Sequence, residues 1–425
     1  MKTILIGAAS SGCGKTTFTM GLLRALARRG LKVQPFKCGP DYIDPMFHRL
    51  ATGTDSVNLD SVLSSPQHVT TLFQHYGAGA DACVIEGAMG LFDGHDGPRG
   101  SAAELSTLLQ VPVVLLVNAR SVAYSVAPLI HGFRHFRPTL QLAGVVFNFV
   151  GSERHLSLLQ RACRDAGVEC FGFLPRNAQL TIPSRHLGLN TDQLQQTEEL
   201  IELAAKEVEA HVDLERLLEV MESRQTRETN SGSNTTALSI NHIRSIAVAR
   251  DEAFNFTYRA NLDALRSLAP IRYFSPLRDT ALPTCDLLYL PGGYPELFAS
   301  DLAANSSMRQ SIRAFAEAGG HVLAECGGFM YLCQEIDGHA MCDVLPYQAT
   351  MQDAHLHLGY REMTVGQTII HGHEFHYSSV KPEAPFPLCR HINVKAGYTH
   401  WYWADDPAKL AALLDIQPSN NNQRT

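Results

Sequence analysis

The sequence predicts an α/β protein made of two doubly wound domains. Three observations carry that prediction. Short apolar, β-rich runs alternate with amphipathic helical stretches along both halves of the 425-residue chain, the pattern of parallel strands joined by helices. A glycine-rich loop ending in Lys and Thr follows the first of those runs. A polar run from Ser223 to Asn234 has no apolar residue, and the alternation restarts beyond it, as expected of a solvated linker. At this length two or three domains are the prior. The expected organisation is a first domain over 1–221, a linker over 222–241, a second domain over 242–418 and a polar, disordered tail over 419–425.

In the first half, strands are expected at Thr3–Ile6, Val33–Phe36, Ala82–Ile85, Val113–Val117, Leu142–Phe147 and Cys170–Leu174. These runs are apolar throughout, so the sheet should be parallel and covered on both faces. The stretch Lys15–Arg29 places Phe18, Leu22, Leu23 and Leu26 on one side of a helix, and Gly30 is a natural stop. Ser65-Pro66 has the form of an N-cap followed by Pro at the first helical position. Beyond the linker, strands are expected at Ser245–Ala249, Ile271–Phe274, Leu287–Leu290 and Val322–Glu325, with helices around Tyr258–Leu268 and Ser307–Ala318.

Composition narrows the function classes. Hydrophobic residues make up 45% and charged residues 18%, the balance of a folded soluble protein. A net charge of −7 gives no electrostatic case for nucleic acid or an anionic membrane. The apolar run at Thr3–Gly7 is too brief for a signal sequence and leads straight into the glycine-rich loop, which reads as a buried strand. No apolar run reaches bilayer length. Ten cysteines without a CxxC pair point to reduced thiols in a cytoplasm. Oligomeric state is not fixed by the sequence, and a homodimer is one assembly left open.

The loop Ala9-Ser10-Ser11-Gly12-Cys13-Gly14-Lys15-Thr16 follows a strand and opens a helix, the context in which such a motif binds phosphate. Its amides, with Gly12, Gly14 and Thr17, would cradle the phosphates of a nucleotide. Lys15 would contact the β- and γ-phosphates, and the Thr16 hydroxyl would ligate Mg²⁺. Ala9 stands where the common pattern has its first glycine, and Ser10 where partitioning-type ATPases carry a second lysine. Further hard oxygen ligands are needed. Glu86 ends an apolar strand, where a carboxylate points into the ligand crevice; a solvated strand-end acid is the plainer alternative. Asp41 and Asp44 lie with Lys37 and Tyr42 in a tight loop after the second strand; Gly, Pro and Asp also suit an ordinary turn.

The second half carries a nucleophile turn, Ala324-Glu325-Cys326-Gly327-Gly328, between a strand and a helix. Cys326 should expose its thiol at the helix N-terminus, which lowers a thiol pKa. The Gly327 amide is a natural oxyanion donor, with a second expected from Pro291-Gly292-Gly293. On the turn alone, a buried structural thiol remains the alternative. Among nineteen histidines the best base is His400, in Ala396-Gly397-Tyr398-Thr399-His400. Tyr402 stands where glutaminases of this type often carry an orienting Glu, so a Cys–His dyad without that acid is expected. His371-Gly372-His373-Glu374-Phe375-His376 fails the spacing of a zinc-protease helix and reads as a substrate-facing loop.

Taken together, these segments resemble the cobyrinate a,c-diamide synthase family over nearly the whole chain. Besides the phosphate loop and the nucleophile turn, the likeness rests on Phe36–Pro45 with His48, Val84–Gly94, Gly144–His155, Pro183–Leu189, Ala247–Phe256, Phe274–Leu277, Pro291–Leu297 and Gly372–Ser378. The resemblance implies a dethiobiotin-synthetase-like P-loop domain joined to a class I glutamine amidotransferase domain. It implies Mg²⁺ at Thr16, Asp41 and Glu86, and adenine recognition by Asn148. Lys37, Tyr42, Asp44 and Asp93 would lie around the acyl-phosphate and the corrinoid, and Arg154 and His155 at substrate or interdomain contacts. The implied reaction consumes ATP and L-glutamine to amidate the a- and c-acetate groups of cobyrinic acid, with small-molecule substrates and no nucleic-acid or membrane partner. Sirohydrochlorin, its nickel complex or hydrogenobyrinate would fit the same chemistry. Cobyric acid synthase is disfavoured by the PDYIDP and GHEFHYS segments, and a partitioning-type ATPase switch by Ser10 and the glutaminase half.

Overall fold

A computed structural model describes residues 1–182, 191–221, 243–352, 354–385 and 387–416. The expected linker 222–241, the tail 419–425 and the segment Pro183–Leu189 lie outside the described residues. The described residues form two compact units, one over 1–182 and 191–221, the other over 243–416.

The first unit is built on strands β1 (Lys2–Ala8), β2 (Val33–Cys38), β3 (Val57–Leu59), β4 (Ala82–Glu86), β5 (Val113–Asn118), β6 (Leu142–Val150) and β7 (Glu169–Pro175). They form one parallel sheet in the order β3-β2-β4-β1-β5-β6-β7. Helices cover both faces of such a sheet, so its strands must be apolar on both sides. Ile4, Leu5, Ile6, Val84, Ile85, Leu115 and Leu116 are completely buried, and each contributes about 1.5–3 kcal/mol. The sequence reading missed β3, which is three residues long and carries the polar Asn58 at its centre. The chain moves from β1 out to β2 and β3, returns to β4, then crosses to β5 on the other side of β1. That reversal opens the crevice at the carboxyl edge where ligands of doubly wound sheets bind.

Helix α1 (Lys15–Arg28) starts one residue after Gly14 and buries Phe18, Leu22, Leu23 and Leu26, as its periodicity requires. Helix α2 (Asp44–Thr52) follows β2. In helix α3 (Pro66–Gly77) the Ser65 hydroxyl accepts the His68 amide and Pro66 opens the first turn.

The second unit contains β8 (Ile246–Ala249), β9 (Ile271–Phe274), β10 (Leu287–Leu290) and β11 (His321–Glu325). With Val394–Gly397 and Cys389–His391 they form a six-stranded sheet, parallel except at the Cys389–His391 edge. The segment expected as a substrate-facing loop is instead strand. Residues Thr368–His376 pair antiparallel with His357–Val365 on one side and His400–Trp401 on the other. Ile369, His371 and Phe375 are more exposed than Ile370, Gly372 and Glu374, but His373 on the same face is buried. All ten cysteines are free thiols, and among the described residues no helix is long and apolar enough to cross a membrane.

Candidate active sites

At the carboxyl edge of the first sheet, register sets Lys37 beside Glu86, and Glu86 beside Ile6 of β1. Gly12 and Gly14 bend the loop between β1 and α1, with Gly14 at φ 87° as the helix cap. A Cβ on Gly14 would lie 2.2 Å from Nδ2 of Asn148. Asn148, buried at the carboxyl end of β6, donates that amide to the Cys13 carbonyl at 2.9 Å. Its role in this structure is to hold the loop. The Thr17 hydroxyl, also buried, donates to the Leu180 carbonyl at 3.3 Å. The Lys15 ammonium donates to the Met89 carbonyl. Burial holds it below the usual lysine range, against the pull of Glu86.

Thr16 is the hub. Its hydroxyl lies 2.9 Å from Glu86 Oε1 and 3.1 Å from Asp44 Oδ1. The sequence reading gave Asp41 to this cluster and Asp44 to the substrate; in this structure the carboxylate that reaches Thr16 is that of Asp44. Asp41 turns Oδ1 back onto the amides of Ile43 and Asp44, at 2.8 and 3.0 Å, the habit of an Asp that caps a turn. Asp44, as the first residue of α2, faces Thr16. Lys37 is almost fully buried, 3.4 Å from Asp44 and 3.8 Å from Asp41. Burial pulls its pKa down, but Asp44, Asp41 and Glu86 outweigh it and hold the ammonium above its ordinary value. Burial likewise pushes Glu86 up, and the hydrogen bond and charge of His48, with Lys37 and the Thr16 hydroxyl, bring it below the usual carboxylate range.

His48, to which the sequence reading gave no role, joins this cluster. Its Nε2 is 2.7 Å from Glu86 Oε2 and its Nδ1 is 2.9 Å from the Ser56 hydroxyl. The signal was present in the spacing, because Asp44 and His48 are one helical turn apart on α2. Tyr42 is nearly buried beside this cluster. Asp93 is exposed and accepts the Gly90 amide at 3.0 Å. The His155 ring bridges Val122 and Gly151 within the first unit, at 2.6 and 3.2 Å, while Arg154 is exposed.

In the second unit, Cys326 sits between β11 and the short helix Gly327–Leu332 at φ 49°, ψ −109°. A non-glycine residue held there costs about 1–3 kcal/mol, and such outliers cluster at working sites. The expected exposed, acidified thiol is corrected on both counts. Cys326 is 4% exposed, and burial, then Glu296, push its thiol above the usual range. The cap position alone cannot offset that desolvation. His400 is buried too, and burial, with His373 and His376 beside it, lowers its pKa to about 3. Burial thus disfavours charge on both members of the pair.

Gly292 is wedged between the two. A Cβ there would lie 2.3 Å from His400 Cε1, 3.0 Å from His400 Nε2 and 3.2 Å from the Cys326 Cβ. The Cε1–Nε2 side of the ring and the Cys326 Cβ thus both border Gly292. A Cβ on Gly327 would meet the backbone N and O of Gly293, each at 3.0 Å, so the two expected oxyanion segments adjoin. Two acids border this site. Glu296, in the turn Pro295–Phe298, is raised to about 7 by burial. Glu325 is 2% exposed and is raised to about 8 by burial, against hydrogen bonds from the Trp401 amide and the Tyr289 hydroxyl. Its Oε2 lies 3.8 Å from His400 Nδ1. Tyr402 does stand where an orienting Glu was expected to be missing, and the carboxylate that approaches His400 is instead that of the residue before the nucleophile.

Comparison with known proteins identifies both halves of the chain. Residues 4–189 match the family described as the CobQ/CobB/MinD/ParA nucleotide binding domain. Residues 245–406 match the CobB/CobQ-like glutamine amidotransferase domain. A cobyrinate a,c-diamide synthase of Listeria monocytogenes serotype 4b (strain F2365) is 41% identical over 403 residues, covering 91% of this chain and 89% of the relative. A hydrogenobyrinate a,c-diamide synthase of Brucella abortus biovar 1 (strain 9-941) is 42% identical over 397 residues, covering 90% of each. A hydrogenobyrinate a,c-diamide synthase of Mycobacterium bovis (strain ATCC BAA-935 / AF2122/97) is 39% identical over 398 residues, covering 89% of this chain and 87% of the relative. With two domain matches in this order and such identity over nine-tenths of its length, the chain belongs to the cobyrinate/hydrogenobyrinate a,c-diamide synthase family, a family of glutamine amidotransferase ligases.

Proposed function

We propose that this protein amidates the a- and c-acetate carboxylates of cobyrinic acid, using ATP to activate each carboxylate and glutamine as the nitrogen source. The observation that carries the reading is the Thr16 hydroxyl set between the carboxylates of Glu86 and Asp44, at the mouth of a phosphate loop. That is a set of hard oxygen donors with net negative charge, which suits Mg²⁺; a magnesium ion keeps several waters and phosphate oxygens, so few protein ligands suffice. Thr16, Glu86 and Asp44 would hold the ion, which would supply charge neutralisation on the β- and γ-phosphates.

In the glutaminase half, His400 takes the Cys326 proton and the thiolate attacks the glutamine carboxamide carbon. The oxyanion turns toward the amides of Gly293 and Gly327. The C–N bond breaks as His400 returns the proton to the leaving nitrogen, and water then releases glutamate from the thioester. In the synthetase half, a substrate carboxylate attacks the γ-phosphorus and ADP departs, with Lys15 neutralising charge on the transferring group. Lys37, held as a cation by Asp41 and Asp44, orients the carboxylate. Ammonia displaces phosphate from the acyl-phosphate. Two rounds consume two ATP and two glutamine.

Relatives named for cobyrinate and for hydrogenobyrinate are 41% and 42% identical, so identity does not separate a cobalt-containing from a cobalt-free corrinoid. The test is ATP- and glutamine-dependent mass change on cobyrinic acid, hydrogenobyrinic acid, sirohydrochlorin and nickel-sirohydrochlorin in parallel. Two successive amidations of cobyrinic acid support the reading. Preference for hydrogenobyrinic acid or a sirohydrochlorin reassigns the substrate and keeps the chemistry. No turnover on any of them sinks it.

A further inference from the structure

We infer that Glu325 is the positioning residue of the glutaminase: its carboxylate receives Nδ1–H of His400 when the ring takes the Cys326 proton on Nε2. The inference rests on the Cys326–His400 reading above and supplies the acid that the chain lacks at Tyr402.

The geometry is that of a relay on two edges of one ring. The Cε1–Nε2 edge borders Gly292, which also borders the Cys326 Cβ. Nδ1 lies 3.8 Å from Glu325 Oε2. Catalytic hydrogen bonds are commonly long at rest and tighten in the reacting complex. Glu325 is fixed on both oxygens. Oε1 accepts the Trp401 amide at 3.0 Å, and Oε2 accepts the Tyr289 hydroxyl at 2.7 Å. Trp401 directly follows His400, so the same carboxylate that faces the ring also anchors the strand that carries it. A buried imidazolium beside His373 and His376 would be strongly disfavoured without a compensating anion. Glu325 supplies that anion without net proton transfer: the proton moves from sulfur to Nε2 and on to the leaving nitrogen, while Nδ1 keeps its own.

The active form of Glu325 is ionised, and burial holds its pKa at about 8. Glutaminase kcat should therefore rise with pH toward that value. Around Glu325 stand Tyr289 and His400; around His400 stand His373 and His376; the thiol faces Glu296, Glu325 and Glu374. Glu296, raised to about 7, is the rival source of such a limb.

The test uses Glu325→Gln in the full chain. Glutamine keeps an acceptor for the Trp401 amide and a partner for the Tyr289 hydroxyl but carries no charge. We expect glutaminase kcat to fall by roughly a hundredfold or more, with glutamine KM and ammonia-dependent amidation unchanged. A Glu325→Gln enzyme at wild-type kcat overturns the inference, because it leaves Glu325 a purely structural anchor. Tyr289→Phe provides the second readout, since loss of its hydroxyl raises the Glu325 pKa. The acidic limb of kcat should move to higher pH. A limb that moves in Glu296→Gln and stays fixed in Tyr289→Phe overturns the inference and assigns the limb to Glu296. Cys326→Ala separates the two levels: retained glutamine-dependent turnover would remove the dyad itself, whereas a dead Cys326→Ala with an active Glu325→Gln removes only the role of Glu325.

Discussion

Nε2 of His48 lies 2.7 Å from Glu86, and neither side chain has solvent access. This contact commits one oxygen of Glu86 and leaves the other to Thr16. Glu86→Gln is expected to lower amidation by roughly a hundredfold or more through lost charge stabilisation, with glutamine hydrolysis unchanged. His48→Ala acts one step back. Its expected effect is a Mg²⁺ requirement raised by roughly tenfold and a stability loss of about 1–3 kcal/mol from the deserted carboxylate. Amidation rate against magnesium concentration, with a denaturant titration, checks both.

Gly14→Ala puts a methyl group 2.2 Å from the Asn148 amide and a side chain at φ 87°. ATP binding followed by calorimetry should be lost, together with amidation from either nitrogen source. Glutamine hydrolysis should persist, since Cys326 and His400 belong to the other unit.

Gly292→Ala is the mirror experiment. The added methyl would sit 2.3 Å from the His400 ring, so glutaminase activity should disappear. Amidation with free ammonia should continue at the wild-type rate. Loss of both activities would mean that the two chemistries are not separable in this chain.

The buried acids and His400 also give stability a predictable pH profile. His400 is depressed from 6.5 to about 3, so its contribution grows as pH rises from about 3 to 6.5 and is complete above that. Glu325 is raised from 4.5 to about 8; the unfolded chain ionises first, so stability falls as pH rises from about 4.5 to 8. Between pH 4.5 and 6.5 the two oppose each other. Glu296, raised from 4.5 to about 7, adds to the same fall up to about pH 7; toward pH 8 the Glu325 effect remains, at up to about 1.4 kcal/mol per pH unit. Denaturation midpoints at pH 6.5 and 8 should differ in the wild type, and the difference should shrink in Glu325→Gln to the share of Glu296.

Much of the framework was readable because buried parallel strands are apolar along their whole length; β9 and β10 fall where the sequence placed them. Short strands with polar centres escape that signal, as β3 did. Within the sites, residues that sit in a local motif were legible, and residues that meet across the fold were not. Glu325 and His400 are brought together by the pairing of β11 with Val394–Gly397, which no spacing rule reports. That Asp44 and not Asp41 reaches Thr16 has a local cause: α2 begins at Asp44, while the turn before it engages Asp41. The exposed thiol was misjudged because a nucleophile turn fixes backbone direction, whereas solvent access depends on the segments packed over it.

The Asn148 amide tied to the Cys13 carbonyl bears on how nucleotide is captured. A loop already fastened to a neighbouring strand has little backbone freedom left to lose when phosphates arrive. Its curvature is preorganised, so the ordering entropy charged against ATP affinity is small. Cutting that tie would leave every phosphate-facing amide in the sequence and still weaken binding, through an entropic cost that a list of ligand contacts would not contain.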